Sequence, residues 1–136
     1  MEFIVTGCTL IDGVGGNPIS DAAIQVQNER IAWVGALSNL PADKRDIQQI
    51  DASGKYVIPG LVDAHVHVCW NGTESVLELI NRDRDLIILE AVDIVKRILA
   101  TGTTTVRDIG GHNYVEMGLR KAINAGHIQG PRMRTS

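Results

Sequence analysis

The sequence predicts an α/β protein in two parts, a β-rich leader over residues 1–58 and alternating strands and helices over residues 59–136. Three observations carry this reading. Short β-branched segments separated by Gly, Asn and Pro clusters fill the first part. Pro59-Gly60 marks a change of character. Beyond it, apolar residues recur at strand spacing and then at helical spacing, twice in succession.

In the leader, Phe3–Thr6 and Cys8–Ile11 read as two short strands, and Gly13–Pro18 as a loop. Ala23–Gln27 alternates apolar and polar residues, as a half-buried strand does. Asn28-Glu29-Arg30 suits a tight hairpin, with Ile31–Gly35 as the return strand. Ile47–Ala52 and Tyr56–Ile58 complete a small β-domain in which no helix is expected.

In the second part, Leu61–Val68 is an apolar strand with polar residues at alternate positions. A helix is expected from about Asp83 to Ala100, because Ile87, Ile88, Ala91, Ile94, Val95 and Ile98 share one face. Asp93 and Arg97 can pair along it, and Gly102 suits a left-handed cap. Thr103–Ile109 reads as the next strand, broken by Gly110-Gly111. Asn113 with Glu116 has the spacing of a capping box for a helix from Tyr114 to Ala125, ended by Gly126. Pro131–Ser136 begins a third strand. Strands alternating with helices imply parallel pairing and right-handed crossovers.

Composition excludes several classes. Hydrophobic residues make up 44% and charged residues 21%, ordinary for a globular protein. The net charge of −3 and the lack of a basic run give no footprint for nucleic acid or acidic lipid. No segment has the length to cross a membrane, and the N-terminus lacks the pattern of a secretory signal. Two cysteines, Cys8 and Cys69, do not make a disulfide framework. A reducing cytoplasm is the default compartment. Asn71-Gly72-Thr73 matches a glycosylation sequon, read here as a chance match. Nothing opposes assembly into a homo-oligomer.

Asp63, His65 and His67 stand at i, i+2 and i+4, so an unbroken strand turns all three to one face. Val62, Ala64, Val66 and Val68 then face the covering helices. Two imidazoles two residues apart can aim ring nitrogens at one cation about 2.0–2.1 Å away. Asp63 sits one layer deeper, by roughly 6–7 Å of strand rise. It suits orienting a neighbour better than direct ligation. A lone His-x-His is weak evidence, but this pair ends a strand at the start of a β/α unit. Such strand ends are where α/β folds and barrels place their sites.

Pro59-Gly60-Leu61-Val62-Asp63-Ala64-His65-Val66-His67 resembles the signature that opens the barrel in the amidohydrolase superfamily. Residues 101–111, Thr-Gly-Thr-Thr-Thr-Val-Arg-Asp-Ile-Gly-Gly, are similar to the second barrel strand of its imidazolonepropionase-like branch, which includes Xaa-Pro dipeptidases. The resemblance implies that residues 1–58 are part of a small β-sandwich and that residues 59–136 start a (β/α)8 TIM-like barrel. It implies that His65 and His67 ligate the more buried of two metal ions, usually zinc.

For the remaining polar residues the resemblance is less definite. Asp108, opposite in face to Arg107, either holds the first-strand loop or approaches substrate, and a structural bond is favoured for both. His112 lies in a loop on the catalytic face, as a substrate contact or a solvated side chain. Trp70 either walls a substrate pocket or packs. Cys69 is read as a small buried hydrophobe, and His127 is given no role.

Family members complete the site with a lysine carboxylate or glutamate on strand four, histidines on strands five and six, and an aspartate on strand eight. The chain stops near strand three, and a whole barrel takes about 250 residues. It is therefore expected to be part of a longer protein, inactive and unstable alone. The implied activity is hydrolysis of a C–N amide bond in a small molecule by metal-activated hydroxide. An Xaa-Pro dipeptide or N-acyl amino acid is the first choice of substrate. A cyclic amide, as for imidazolonepropionase, is the second. A non-catalytic relative that keeps only the fold is a further alternative.

Overall fold

Glu2–Leu10 forms one nine-residue strand, β1, where the sequence suggests two. Gly7 explains the difference. It adopts φ +76°, and the pairing register shifts between Thr6 and Cys8, so the strand bulges without ending. The computed structural model describes residues 1–70, 72 and 75–136. Asn71 and Thr73 of the sequon fall outside the described residues. The chain divides into two units, Met1–Pro59 and Gly60–Ser136.

The first unit is a five-stranded sheet. β2 (Ile19–Gln27) pairs antiparallel with β1 and with β3 (Arg30–Ala36). β4 (Gln49–Asp51) and β5 (Tyr56–Val57) pair parallel to β1. The β2–β3 hairpin turns through Asn28 and Glu29 at φ +50° and +63°, a backbone that suits the right-handed twist of the flanking strands. Ala22 and Ala23, neighbours in β2, point to opposite faces. Ala22 packs with Cys8, Leu10, Ile24 and Ala52, and Ala23 with Ile4 and Leu40. Within this unit the described residues form one sheet and not the second that a sandwich requires. Two 3-10 turns, Leu37–Asn39 and Ala42–Lys44, occur in a stretch where no helix is expected.

The second unit is a three-stranded parallel sheet in the order β6 (Leu61–Val66), β7 (Thr103–Asp108), β8 (Arg132–Thr135). Two helices make the crossovers. α2 (Arg84–Ala100) starts at Asp83, whose side chain accepts the backbone N–H groups of Asp85 and Leu86. It ends with Gly102 at φ +86°. Asp93 and Arg97 pair at 2.9 Å. A five-residue helix, α1 (Val76–Ile80), precedes it and has no counterpart in the sequence reading. α3 (Val115–Asn124) is ended by Gly126 at φ +76°.

Buried Ile87, Ala91 and Val95 of α2 and Val115 and Leu119 of α3 pack on Val106 and Met133 of the sheet. The capping box does not form. Asn113 and Tyr114 take left-handed backbones at φ +54° and +56°. The Asn113 amide meets the His112 ring at 2.6 Å, and Glu116 is buried rather than turned back to the helix start. No helix among the described residues is long and apolar enough to cross a membrane.

Candidate metal centre

The end of β6 departs from strict alternation. Asp63 pairs with Val106 and Val66 with Asp108, so the register shifts between them. An odd step on β6 meets an even step on β7, which leaves one extra residue on β6. Asp63 therefore shares its face with Val106, on the helix side, and lines a groove with Val66, Ile94, Arg97, Ile98 and Thr101. The expectation that Asp63 points the same way as His65 and His67 is corrected by this bulge. The local cause lies in the Asp63 side chain. Its Oδ1 accepts the backbone N–H of His65 at 3.0 Å, an Asx-type turn inside the strand.

The burial expected for the alternate apolar residues changes with it. Val68 is fully buried in the core and Val66 partly so, but Val62 is 70% exposed and Ala64 is exposed. Val62 pairs with Thr105, on the face away from Val106, and β6 is an edge strand.

The rings of His65 and His67 come together, with centroids 5.6 Å apart and planes at 75°. Two imidazoles on one tetrahedral cation at 2.0–2.1 Å have ring centroids roughly 5 Å apart, so this separation fits shared ligation. The His67 ring is also oriented. Its Nδ1 lies 2.7 Å from the carbonyl oxygen of Gly110. A carbonyl only accepts, so Nδ1 carries the proton, and in the neutral ring Nε2 holds the free lone pair. Among the described residues no third His, Cys, Asp or Glu joins them in a metal-binding group. A cation held by these two rings would need further ligands from elsewhere.

Asp108 is fully buried at the end of β7. Its Oδ2 accepts the Val68 N–H at 2.8 Å and its Oδ1 the Gly110 N–H at 2.9 Å. Of its two expected roles, this geometry is that of a tie on the first-strand loop. Arg107 is exposed on the other face. Trp70 packs against the core, with its ring 6.1 Å from that of His67. His112 is half-buried in the loop after β7, and its backbone N–H reaches the Cys69 sulfur at 3.4 Å. Cys69 is buried, and that burial pushes its thiol pKa up, with the bond from His112 working the other way. His127 is exposed beyond α3.

Two features escape the sequence reading. One is the Gly110 carbonyl. The signal available was the Gly-Gly doublet at a strand end, which marks a backbone that other residues do not adopt. Gly110 takes φ +129°. The other is Glu116, 1% exposed, whose Oε2 has no hydrogen-bond partner among the described residues. A carboxylate three residues after Asn113 gave only a capping signal.

Comparison with known proteins places the chain in a family. Residues 56–136 match the model of the amidohydrolase family. Imidazolonepropionase from Cupriavidus pinatubonensis is 46% identical over 57 residues, which are 42% of this chain and 14% of that enzyme. N-acyl-D-glutamate deacylase from Alcaligenes xylosoxydans xylosoxydans is 42% identical over 67 residues, 49% of this chain and 13% of that enzyme. Among solved structures, a Xaa-Pro dipeptidase with methionine bound in its active site superposes with a TM-score of 0.84 at 25% identity. It covers 100% of this chain, which spans 33% of it. The similarity in fold thus runs through both units, and the family match covers the strand that carries His65 and His67 and everything after it: the chain belongs to the amidohydrolase family.

Proposed function

We propose that His65 and His67 are the first two ligands of a divalent-metal centre, zinc in the first instance, in a hydrolase that cleaves a C–N amide bond of a small molecule. The observation that carries the reading is the pair of adjacent rings, with the Nδ1 of His67 committed to a backbone carbonyl and its Nε2 free. A metal-ligating histidine typically donates its other nitrogen in this way. Bound divalent metal would supply a water of lowered pKa and a polarised carbonyl oxygen. The residues of this chain hold and orient; proton transfer to the leaving nitrogen belongs to groups outside it. In this reading the second unit is the start of a (β/α)8 barrel, which places both histidines at the catalytic end of its first strand.

An Xaa-Pro dipeptide or an N-acyl amino acid is the favoured substrate, supported by the dipeptidase and deacylase similarities. A cyclic amide is the second choice, supported by the imidazolonepropionase similarity. Cys8 and Cys69, free and buried, support a reducing cytoplasm.

The test is metal analysis of the whole protein to which this chain belongs beside its His65→Ala/His67→Ala variant, followed by assay on Xaa-Pro dipeptides, N-acyl amino acids and cyclic amides. Loss of bound zinc and of hydrolysis in the variant is expected. Equal metal content in the two proteins would overturn the assignment of the ligands. Zinc binding without turnover of any amide would favour a non-catalytic relative.

A further inference from the structure

We propose that Asp108 is the positioning residue that fixes the ring orientation and tautomer of His67. The inference rests on the reading of His67 as a metal ligand and deepens it.

Asp108 has no exposed surface, and its two carboxylate oxygens are divided between two backbone donors. Oδ2 takes the N–H of Val68, the residue next to His67. Oδ1 takes the N–H of Gly110, the residue whose carbonyl oxygen receives Nδ1–H of His67. One buried side chain therefore anchors both the main chain that carries the imidazole and the acceptor that orients it. Gly110 closes the link because its φ of +129° suits glycine alone, and that backbone turns the carbonyl to the ring.

Only a carboxylate serves here. Both donors are N–H groups, so both side-chain atoms must accept. Asparagine offers one acceptor oxygen and would set its NH2 group against the other N–H. The loop after β6 or the Gly110 turn would then lose its anchor. His67, released from the carbonyl, would take the Nε2–H tautomer that free imidazole side chains prefer, and the lone pair would leave the metal side.

The experiment compares Asp108→Asn, Gly110→Ala and Leu119→Ala in the whole protein to which this chain belongs with the unaltered protein. Leu119 is a buried residue of α3 and serves as the stability control. The first readout is the 15N spectrum of the histidines in metal-free protein, held well above the ordinary imidazole range. The second is zinc affinity by chelator competition.

In the unaltered protein, His67 shows protonated Nδ1 and bare Nε2. Asp108→Asn and Gly110→Ala both lose that signature and bind zinc about 10–100-fold more weakly, the usual effect of removing a ligand's orienting partner. Leu119→Ala melts lower but keeps the signature and the affinity. Gly110→Ala decides alone where Asp108→Asn fails to fold: a Cβ there meets nothing within 4 Å, so the substitution acts through the strain that φ +129° puts on an L side chain, at the turn itself. An unchanged signature in folded Asp108→Asn, an unchanged signature in Gly110→Ala, or an equal loss in Leu119→Ala overturns the proposal. Loss of the signature in a protein that never bound zinc supports the positioning role and removes the metal centre instead.

Discussion

The Glu116 carboxylate occupies the space that a side chain on Gly111 would need. A Cβ built on Gly111 lies 2.5 Å from Glu116 Oε2 and 2.6 Å from Cys69 Sγ. Cys69 and Glu116 are both buried, from the loop after β6 and from α3, so neither can swing into solvent without opening the core. Gly111→Ala is therefore expected to destabilise the protein by about 1–3 kcal/mol, the usual cost of overpacking. Urea denaturation of the two proteins measures it. An unchanged midpoint would mean that the two side chains move aside freely.

Much of the fold was legible because local chemistry and tertiary packing agree. The span of α2 follows from Ile87, Ala91 and Val95 at helical spacing, with Asp83 and Gly102 at its ends. Asn28 marks the hairpin because its side chain tolerates the left-handed backbone that the turn uses, and Glu29 follows it into that region at φ +63°. The pairing of His65 with His67 followed from period-two alternation. The position of Asp63 did not, since a single hydrogen bond to the His65 N–H breaks that period, and no composition signal marks it. The Asn113 region misled for a related reason. Capping chemistry and a left-handed turn draw on the same residue types, and the choice between them was made by packing, with Glu116 drawn inward.

The third glycine of this region behaves oppositely to Gly111. Gly118 is exposed within α3, and a Cβ there meets nothing within 4 Å. Glycine inside a helix costs about 0.5–1 kcal/mol relative to alanine. Gly118→Ala should raise the denaturation midpoint by that amount and leave zinc affinity unchanged. A lower midpoint would show that another surface closes against this side of α3.

Acid should weaken the second unit partly through Glu90. The Arg82 guanidinium, hydrogen-bonded to it at 2.5 Å, holds the Glu90 carboxyl below the usual carboxylate range. The folded state therefore binds fewer protons than the unfolded chain near pH 4. This contribution is present above the ordinary glutamate pKa of about 4.3 and is lost as pH falls through the lowered folded value. The pair is half-buried, with 39% of the Glu90 side chain exposed, so the effect is small and screened by salt. Glu90→Gln should flatten the acid limb of stability against pH at low ionic strength and change nothing at neutral pH in high salt. An acid limb identical in the two proteins would show that the pair does not persist in solution.

Glu116 itself should be replaceable with a gain in stability. Its buried Oε2 lacks a donor among the described residues, and leaving such a group unpaired costs about 1–3 kcal/mol. Methionine is unbranched, of similar length and free of that penalty, so Glu116→Met should stabilise the protein by about that amount. Combined with Gly111→Ala, it should also lessen the overpacking penalty, because a thioether bends away from a new methyl group more readily than a carboxylate. The two residues are in contact, so their effects should not add, and a double-mutant cycle reads the coupling directly. Destabilisation by Glu116→Met would reveal a donor to this carboxylate, supplied by the rest of the protein or by bound water, and would make Glu116 a structural anchor of the loops that carry Cys69 and Gly111.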